Sequence, residues 1–236
     1  MQNLLTRFRR DLHQIPELDR QVPETLAYVE AALAPLPCRL FHPIPQALCA
    51  YFDGGKGDTI GFRAELDALP IQEAEGRAYG SRHPGCMHAC GHDGHMAMLL
   101  GLAHTWAAAR DSLPHNLLLI FQPAEETTGG AADICSQGVL DEYRVSRIFG
   151  CHLWPGLPEG QAFARPGPMM ARSSEVTLTI RGRSVHIANR QQGNDALLAG
   201  AEFLLAAYAF MDAGFPPAEP RVLGFCLLYT SPSPRD

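Results

Sequence analysis

The sequence predicts an α/β domain with a mainly parallel sheet, followed by the beginning of a smaller α+β domain. Predicted strands alternate with predicted helices over residues 1–170, which is typical of parallel sheets with crossover helices. One strand, Asn116–Phe121, is a continuous apolar run (NLLLIF), as found in sheets that are covered on both faces. The pattern changes near Pro166, where Pro-Gly-Pro precedes a segment of alternating polarity.

The first part of the chain predicts two helices and then two strands. Apolar residues recur at helical spacing in the first helix, and Pro16 stops the pattern. The two strands lie on either side of a turn with the sequence Asp-Gly-Gly. The predicted ranges are 3–15 and 24–33 for the helices, and 47–52 and 59–66 for the strands.

The later elements follow from the same patterns. The apolar run Met96–Ala109 predicts a buried helix, residues 129–137 predict another, and Val145–Cys151 predicts a further buried strand. Beyond Pro166, Glu175–Arg181 alternates like a half-exposed strand, and a long apolar helix follows at Asp195–Met211. One strand and one helix cannot bury a core alone, so we expect only part of a second domain there.

The last residues, CLLYTSPSPRD from Cys226 to Asp236, show no periodicity. They resemble the conceptual translation of a common sequencing adaptor, which encodes the run LLYTS. We therefore expect residues 226–236 to be a non-native tail, with the natural gene continuing past Phe225. A natural disordered tail is the alternative. The predicted domains are then 1–170, an incomplete α/β domain, and 171–225, part of a smaller α+β domain.

Composition narrows the classes of function. The formal net charge of -6 disfavours nucleic acid and anionic membranes as partners, because such binders usually present a basic face. We find no stretch that is apolar for long enough to span a bilayer and no signal peptide, so the cytoplasm is expected. Seven cysteines in a chain of this size favour free thiols or metal ligands over a disulfide framework.

The densest cluster of chemical groups is the loop His88-Ala-Cys90-Gly-His92-Asp93-Gly-His95. Thiolate and neutral imidazole are the usual protein ligands of zinc and similar divalent ions. Cys90 and His92 are two residues apart, and on a regular helix they would point in different directions. A loop or a turn that enters the following helix would let both bend toward one point.

Four more polar residues each follow the carboxyl end of a predicted strand: Asp67, Glu125, Glu126 and His152. Ligands of open α/β sheets bind at that edge. Two adjacent carboxylates repel each other, but a cation allows one to ligate while the other accepts a proton from water. The sequence therefore predicts a metal-centred active site.

Simpler interpretations exist for each motif. Cys86, His88, Cys90 and His92 could form a structural zinc knot, although that would leave the two glutamates and His152 unexplained. A Glu-Glu pair after a strand is often the N-terminus of a helix, where carboxylates complement the dipole. A non-catalytic metal-binding protein is thus the rival from another class.

At these residues the sequence resembles the aminoacylase/carboxypeptidase family of two-metal hydrolases. Its branch of hippurate hydrolases, N-acyl-amino-acid amidohydrolases and auxin-conjugate hydrolases is the most similar. The HACGHDGH and QPAEE motifs are the most specific. The matching stretches run in order along the chain: RRDLHQIPEL (9–18), FRAELDALPI (62–71), MHACGHDGHMAMLLG (87–101), LIFQPAEETTGGA (119–131), IFGCHLWPGLPEG (148–160) and RGRSVHIA (181–188).

The resemblance implies a role for each matching residue. Cys90 matches a ligand that bridges two divalent ions (zinc, manganese, cobalt or nickel), and the further ligands are His92, Glu126 and His152. Glu125 matches the general base and acid, and Asp67 a supporting acidic residue. His186 matches a lid histidine that polarises the substrate carbonyl, often in the partner subunit of a homodimer.

The resemblance also implies the reaction, hydrolysis of the amide bond of a small-molecule N-acyl amino acid. The lid of the family is a ferredoxin-like α+β sandwich, so the resemblance implies that 1–170 is the catalytic domain, incomplete here, and that 171–225 is part of the lid and dimerisation domain. A dipeptidase or carboxypeptidase of the same family is the alternative. Two departures stand out: a further histidine ligand near the C-terminus of the family is missing here, and Glu65 stands where many relatives have Asp. Because that ligand and the closing elements of the sheet are missing, we expect this chain alone to be inactive.

Overall fold

The computed structural model describes residues 1–127, 129–167, 169, 174, 176–216, 219 and 221–225. The chain divides into two compact units, Met1–Leu157 and Pro158–Asp236. The proposed tail at 226–236 lies outside the described residues, as do Pro168 and Glu175. The assignment of a catalytic and a lid role to two domains stays a prediction.

The first unit contains most of the regular structure. The predicted helices and strands up to residue 137 are all present within a few residues of their expected bounds. The short strand β1 and the short helix α5 were not predicted. In chain order the elements are α1 (Gln2–His13), α2 (Pro23–Leu33), β1 (Arg39–Phe41), β2 (Leu48–Phe52), β3 (Thr59–Glu65), α3 (His92–Ala109), β4 (Asn116–Gln122), α4 (Gly130–Ser136), α5 (Val139–Glu142) and β5 (Val145–Gly150).

The strands form one sheet in the order β1-β2-β4-β3-β5. Strand β3 is parallel to both β4 and β5. Strand β2 is antiparallel to β1 and to β4, so β2 runs one way and the other four strands run the opposite way. The predicted α/β class with a mainly parallel sheet is confirmed. Because β3, β4 and β5 share a direction, their carboxyl ends lie at the same edge of the sheet.

Helices cover both faces of the central strands. Every residue of β4 is buried, and its side chains alternate between two apolar clusters. Leu117, Leu119 and Phe121 belong to the larger cluster, together with apolar residues of α1, α2 and α3. Leu118 and Ile120 belong to the smaller cluster, beside residues of α4 and α5. The run NLLLIF is continuously apolar because β4 is covered on both faces, as the sequence predicted.

Strand β5 differs from its prediction as a buried strand. Its residues are mostly exposed, including Ile148 and Phe149 at 51% and 46%. Among the described strands it pairs only with β3, so it forms an edge of the sheet. An apolar sequence indicates what a strand would bury. Burial itself needs a covering layer, which the described elements of this unit supply fully only for the central strands.

The second unit contains the helix α6 (Ala196–Ala213), which begins at the side-chain cap of Asp195. The strand predicted at Glu175–Arg181 is wrong for the described residues of that range, which have no regular structure. The expectation that no stretch could span a bilayer also needs correction. By length and composition α6 would suit a membrane span, with a mean hydropathy of 1.5, although helices from the cores of soluble proteins meet the same criterion.

Candidate metal centre

Three predicted ligands lie together at the carboxyl edge of the sheet. The ligand atoms of Cys90, His92 and Glu126 are all within 4.8 Å of one another. Cys90 lies in the loop before α3, and His92 is the first residue of that helix. Gly91 separates them with a φ of +87°, a left-handed conformation that glycine adopts without strain. This turn lets the thiol and the imidazole approach the same point, as the spacing predicted.

A backbone contact fixes the orientation and tautomer of His92. Its Nδ1 lies 2.7 Å from the carbonyl oxygen of Asp67. Because a carbonyl oxygen only accepts, Nδ1 carries a proton, and in the neutral ring Nε2 keeps its lone pair. That Nε2 is 3.7 Å from the Glu126 Oε1 atom. The ring is therefore held in the form that ligates a metal, with its second nitrogen hydrogen-bonded as in most metal sites.

His152 is also brought to this cluster. Its Nε2 is 3.5 Å from the Cys90 Sγ atom, and its Nδ1 is 2.7 Å from the Leu153 carbonyl oxygen. By the same argument Nδ1 is the donor and Nε2 is free to ligate. His152 follows β5 in a segment without regular structure, and its side chain is exposed.

Asp67 acts on the two glutamates through their backbone. Its carboxylate is fully buried and accepts the Glu125 and Glu126 N–H groups at 3.0 Å each. The turn that presents them starts at Ala124, which has a φ of 53°, a conformation that costs a non-glycine residue energy. Asp67 thus offsets local strain and positions the glutamates. The supporting role in catalysis that the resemblance implied for Asp67 stays a prediction.

Glu125 lies beside the ligand cluster without belonging to it. One carboxylate oxygen is 3.7 Å from the His92 Nε2 atom, and the other is 4.0 Å from the Arg63 guanidinium. Burial, followed by the charge of Glu126, raises the pKa of Glu125 above its usual value. A carboxylate with a raised pKa is a stronger proton acceptor.

Two observations show that these residues suit a cation. The Glu126 Oε1 atom is buried and has no hydrogen-bond partner, which is costly for a carboxylate unless a positive charge lies beside it. Burial, assisted by Glu126, raises the pKa of the Cys90 thiol to about 12. A thiol is deprotonated when it ligates a metal, so a divalent ion would supply the charge that this acidic pocket lacks.

A second cluster contains two residues that the sequence analysis named without assigning them a role in the site. Glu65 and His95 lie with His92 so that their ligand atoms are within 4.8 Å of one another. Burial opposes ionisation of Glu65, but the His95 hydrogen bond and the Arg63 charge prevail, and the pKa of Glu65 is lowered to about 2. The HDGH motif shows that His95 is near the centre, whereas its partners come from distant parts of the chain.

The remaining predicted residues are placed as follows. His186 is in the second unit, where its Nδ1 accepts the Ala188 N–H at 3.2 Å. The zinc knot is not supported, since among the described residues no ligand cluster includes Cys86 or His88. The alternative of a helix N-terminus at the glutamates is wrong, because they lie in a turn and α4 begins only at Gly130.

Comparison with known proteins identifies relatives of this chain. It is 40% identical over 192 residues to a Staphylococcus aureus protein named uncharacterized hydrolase. The match covers 80% of this chain and 50% of the relative. A Staphylococcus epidermidis protein of the same name is 39% identical over the same length. The chain therefore spans about half the length of the curated relatives that it matches.

A solved structure also matches across both sequence and fold. The crystal structure of Bacillus subtilis YXEP protein, described as a dinuclear metal binding peptidase from the M20 family, has a TM-score of 0.62 and 39% identity. The match covers 65% of this chain and 44% of that one. The family model described as peptidase family M20/M25/M40 matches residues 61–224. The chain belongs to this family.

Proposed function

We propose that the protein to which this chain belongs is a metal-dependent hydrolase that cleaves the amide bond of N-acyl amino acids. The observation that carries this proposal is the pairing of Glu125 and Glu126. One carboxylate lies in a cluster with a thiol and an imidazole, and the other lies beside that cluster with a raised pKa. A metal-assisted hydrolase needs one group to hold the ion and one to move the proton.

Cys90, His92, Glu126 and His152 would hold two divalent ions, which could be zinc, manganese, cobalt or nickel. Cys90 would bind as the thiolate. When bound, such ions polarise an acyl carbonyl and lower the pKa of water. Metal identity is open because this mixture of sulfur, nitrogen and oxygen ligands suits several first-row metals.

Glu125 would act as the base and then as the acid. Its carboxylate takes a proton from the attacking water, and it returns that proton to the nitrogen of the departing amino acid. The Arg63 guanidinium, 4.0 Å from one of its oxygens, opposes the rise in the pKa of Glu125 without cancelling it. Asp67 would hold Glu125 in place through the backbone hydrogen bond described above.

The remaining parts of the proposal come from the resemblance. His186 would stabilise the negative charge that develops on the carbonyl oxygen. The full-length protein would be a cytoplasmic homodimer joined through the lid, with no nucleic acid or membrane as partner. The hippurate-hydrolase branch is favoured by the HACGHDGH loop.

The second candidate is a dipeptidase or carboxypeptidase. It is favoured by the description of the Bacillus subtilis relative as a peptidase. Hippurate, N-acetyl-methionine and an unmodified dipeptide, assayed side by side with the complete gene product, would separate the two. Faster cleavage of the dipeptide would favour the second candidate.

The test of the proposed chemistry is Glu125→Gln in the complete protein. We expect the variant to bind the same number of metal ions, while turnover falls by about 10²–10⁴-fold, the usual contribution of a general base. The matched control is Glu126→Gln, which should lose metal as well as activity. Near-normal turnover of Glu125→Gln would remove this residue from the role.

A further inference from the structure

His95 lies between the two histidines of the candidate centre. Its ring centroid is 5.5 Å from that of His92 and 4.8 Å from that of His152. The side chain is 1% exposed. Its residue type and position would suit a third imidazole ligand, but its hydrogen bonds favour another role.

Both ring nitrogens of His95 have protein partners. The Leu153 backbone N–H donates to Nε2 at 2.9 Å. Because Nε2 accepts, the proton of the neutral ring is on Nδ1, which donates to the Glu65 Oε2 atom at 2.7 Å. No lone pair remains for a metal. Glu65 and His95 are thus bonded to each other beside His92, and they do not form a second ligand set with it.

The network is anchored in the sheet. Glu65 is the last residue of β3, is 3% exposed, and also accepts from the Arg63 guanidinium. Arg63 in turn donates to the Gln122 side chain at 2.8 Å. His95 is therefore fixed on one side to two neighbouring strands of the sheet, β3 and β4. On the other side of the ring, the Nε2 atom of His95 accepts from a segment that has no regular structure of its own.

That segment is the one that carries His152. Leu153 donates its N–H to His95, and its carbonyl accepts from His152. The Leu153 side chain packs on a glycine of α3, since a Cβ added to Gly94 would lie 2.5 Å from the Leu153 Cδ1 atom. The exposed imidazole is thus held through its neighbour, whose backbone and side chain both contact the start of α3.

We propose that His95 is a positioning residue that fixes the metal ligand His152 through the backbone of Leu153. The inference rests on the proposed function, because it takes His152 to be a ligand. It adds a role for the last histidine of the HACGHDGH motif. It also gives a reason for the glycine before it, which leaves room for Leu153.

Two substitutions distinguish the roles of the two ring nitrogens of His95. In His95→Gln the side-chain oxygen reaches the position of Nε2 and can accept the Leu153 N–H, whereas in His95→Asn the amide reaches only the position of Nδ1. The probe is Co²⁺ alone, titrated into this chain and followed by its thiolate charge-transfer band. We expect His95→Asn to bind about 10–100-fold more weakly, the usual loss when a partner of a metal ligand is removed. His95→Gln should stay within about twofold of the wild type.

A double-mutant cycle tests whether the effect passes through His152. In a His152→Ala background, His95→Asn should change the Co²⁺ affinity by less than about twofold, because the group that it positions is gone. A full additional loss in that background would overturn the proposal. So would a fall in the number of bound ions in both His95 variants, which would make His95 a ligand.

A backbone substitution covers the case in which a His95 variant fails to fold. Replacing Leu153 by its α-hydroxy analogue converts one amide to an ester, which removes the N–H that His95 accepts and leaves every side chain unchanged. The same weakening of Co²⁺ binding is expected, and unchanged affinity would overturn the proposal. If the unaltered chain gives no thiolate band with Co²⁺, the proposed metal centre itself fails. That outcome appears before any variant is made, so the two failures are distinguishable.

Discussion

Asp67→Asn is the substitution that tests how the fold positions the two glutamates. The Asp67 carboxylate is fully buried and accepts two backbone N–H groups at 3.0 Å, those of Glu125 and Glu126. Asparagine has the same shape but only one oxygen. Its amide group would place a donor against one of the two N–H donors, so that one hydrogen bond is lost and one buried N–H is left unpaired.

The magnitude follows from these two contacts. A hydrogen bond to a charged group contributes about 1.5–3 kcal/mol, and an unsatisfied buried donor costs about 1–3 kcal/mol. These terms overlap, because the lost bond and the unpaired donor are the same N–H group. We therefore expect Asp67→Asn to lower the free energy of unfolding by about 2–3 kcal/mol. Because the turn that starts at the strained Ala124 would relax, Glu126 should leave its place, and metal affinity should fall by about 10–100-fold.

The assay is urea unfolding of the metal-free chain, followed by Co²⁺ titration of the folded variant. Asp53→Asn is the matched control, because exposed Asp53 accepts the Gly55 N–H at 2.8 Å through one oxygen, which asparagine also supplies. The control should change the free energy of unfolding by less than about 0.5 kcal/mol. The reasoning is refuted if Asp67→Asn matches the wild type in both urea midpoint and Co²⁺ affinity.

Two further predictions concern stability. Gly130→Ala should destabilise the chain by about 1–3 kcal/mol, since the new Cβ would lie 2.3 Å from the Pro123 carbonyl oxygen; Gly57→Ala, with no neighbour within 4 Å, is its control in urea unfolding. Burial alone would raise the pKa of the Asp93 carboxyl, but its hydrogen bond to His13 prevails, and the pKa lies below the ordinary 3.8. The same hydrogen bond raises the pKa of His13 above 6.5. The Asp93 contribution should be present above pH 3.8 and lost as the pH falls through the lowered pKa, while the His13 contribution should be present below pH 6.5 and lost as the pH rises past the raised pKa. Urea midpoints measured across pH should show both losses in the wild type. In His13→Gln the loss at high pH should be absent and the loss in acid should be smaller, because Arg9 still pairs with Asp93 at 2.9 Å. Equal profiles would contradict the assignment.

The sequence predicted those features that depend on local patterns. The apolar run of β4 indicated a strand covered on both faces, and its seven residues are buried. The carboxyl ends of three parallel strands then placed Asp67, the two glutamates and His152 at one edge. A buried parallel strand and a rule about sheet edges were enough for that step.

The features that were missed depend on long-range contacts. Strand β5 has the apolar sequence of a buried strand, but most of its residues are exposed. Whether a strand is buried depends on the elements that cover it, which lie elsewhere in the chain. The motif with His95 shows only that an imidazole is near the centre. Whether its nitrogens are free to ligate depends on Glu65 and Leu153, which lie 30 and 58 residues away in the chain. Composition and spacing carry no information about that choice.

The central claim is that a thiolate, imidazoles and a carboxylate meet around shared cations. Zinc-edge X-ray absorption of the Zn²⁺-loaded chain tests it most directly, because sulfur at about 2.3 Å is resolved from nitrogen and oxygen at about 2.0–2.2 Å. We predict a sulfur shell in the wild type that disappears in Cys90→Ser, with the nitrogen shell reduced in His92→Ala. A zinc environment of nitrogen and oxygen alone, or a sulfur shell that persists in Cys90→Ser, would contradict the account.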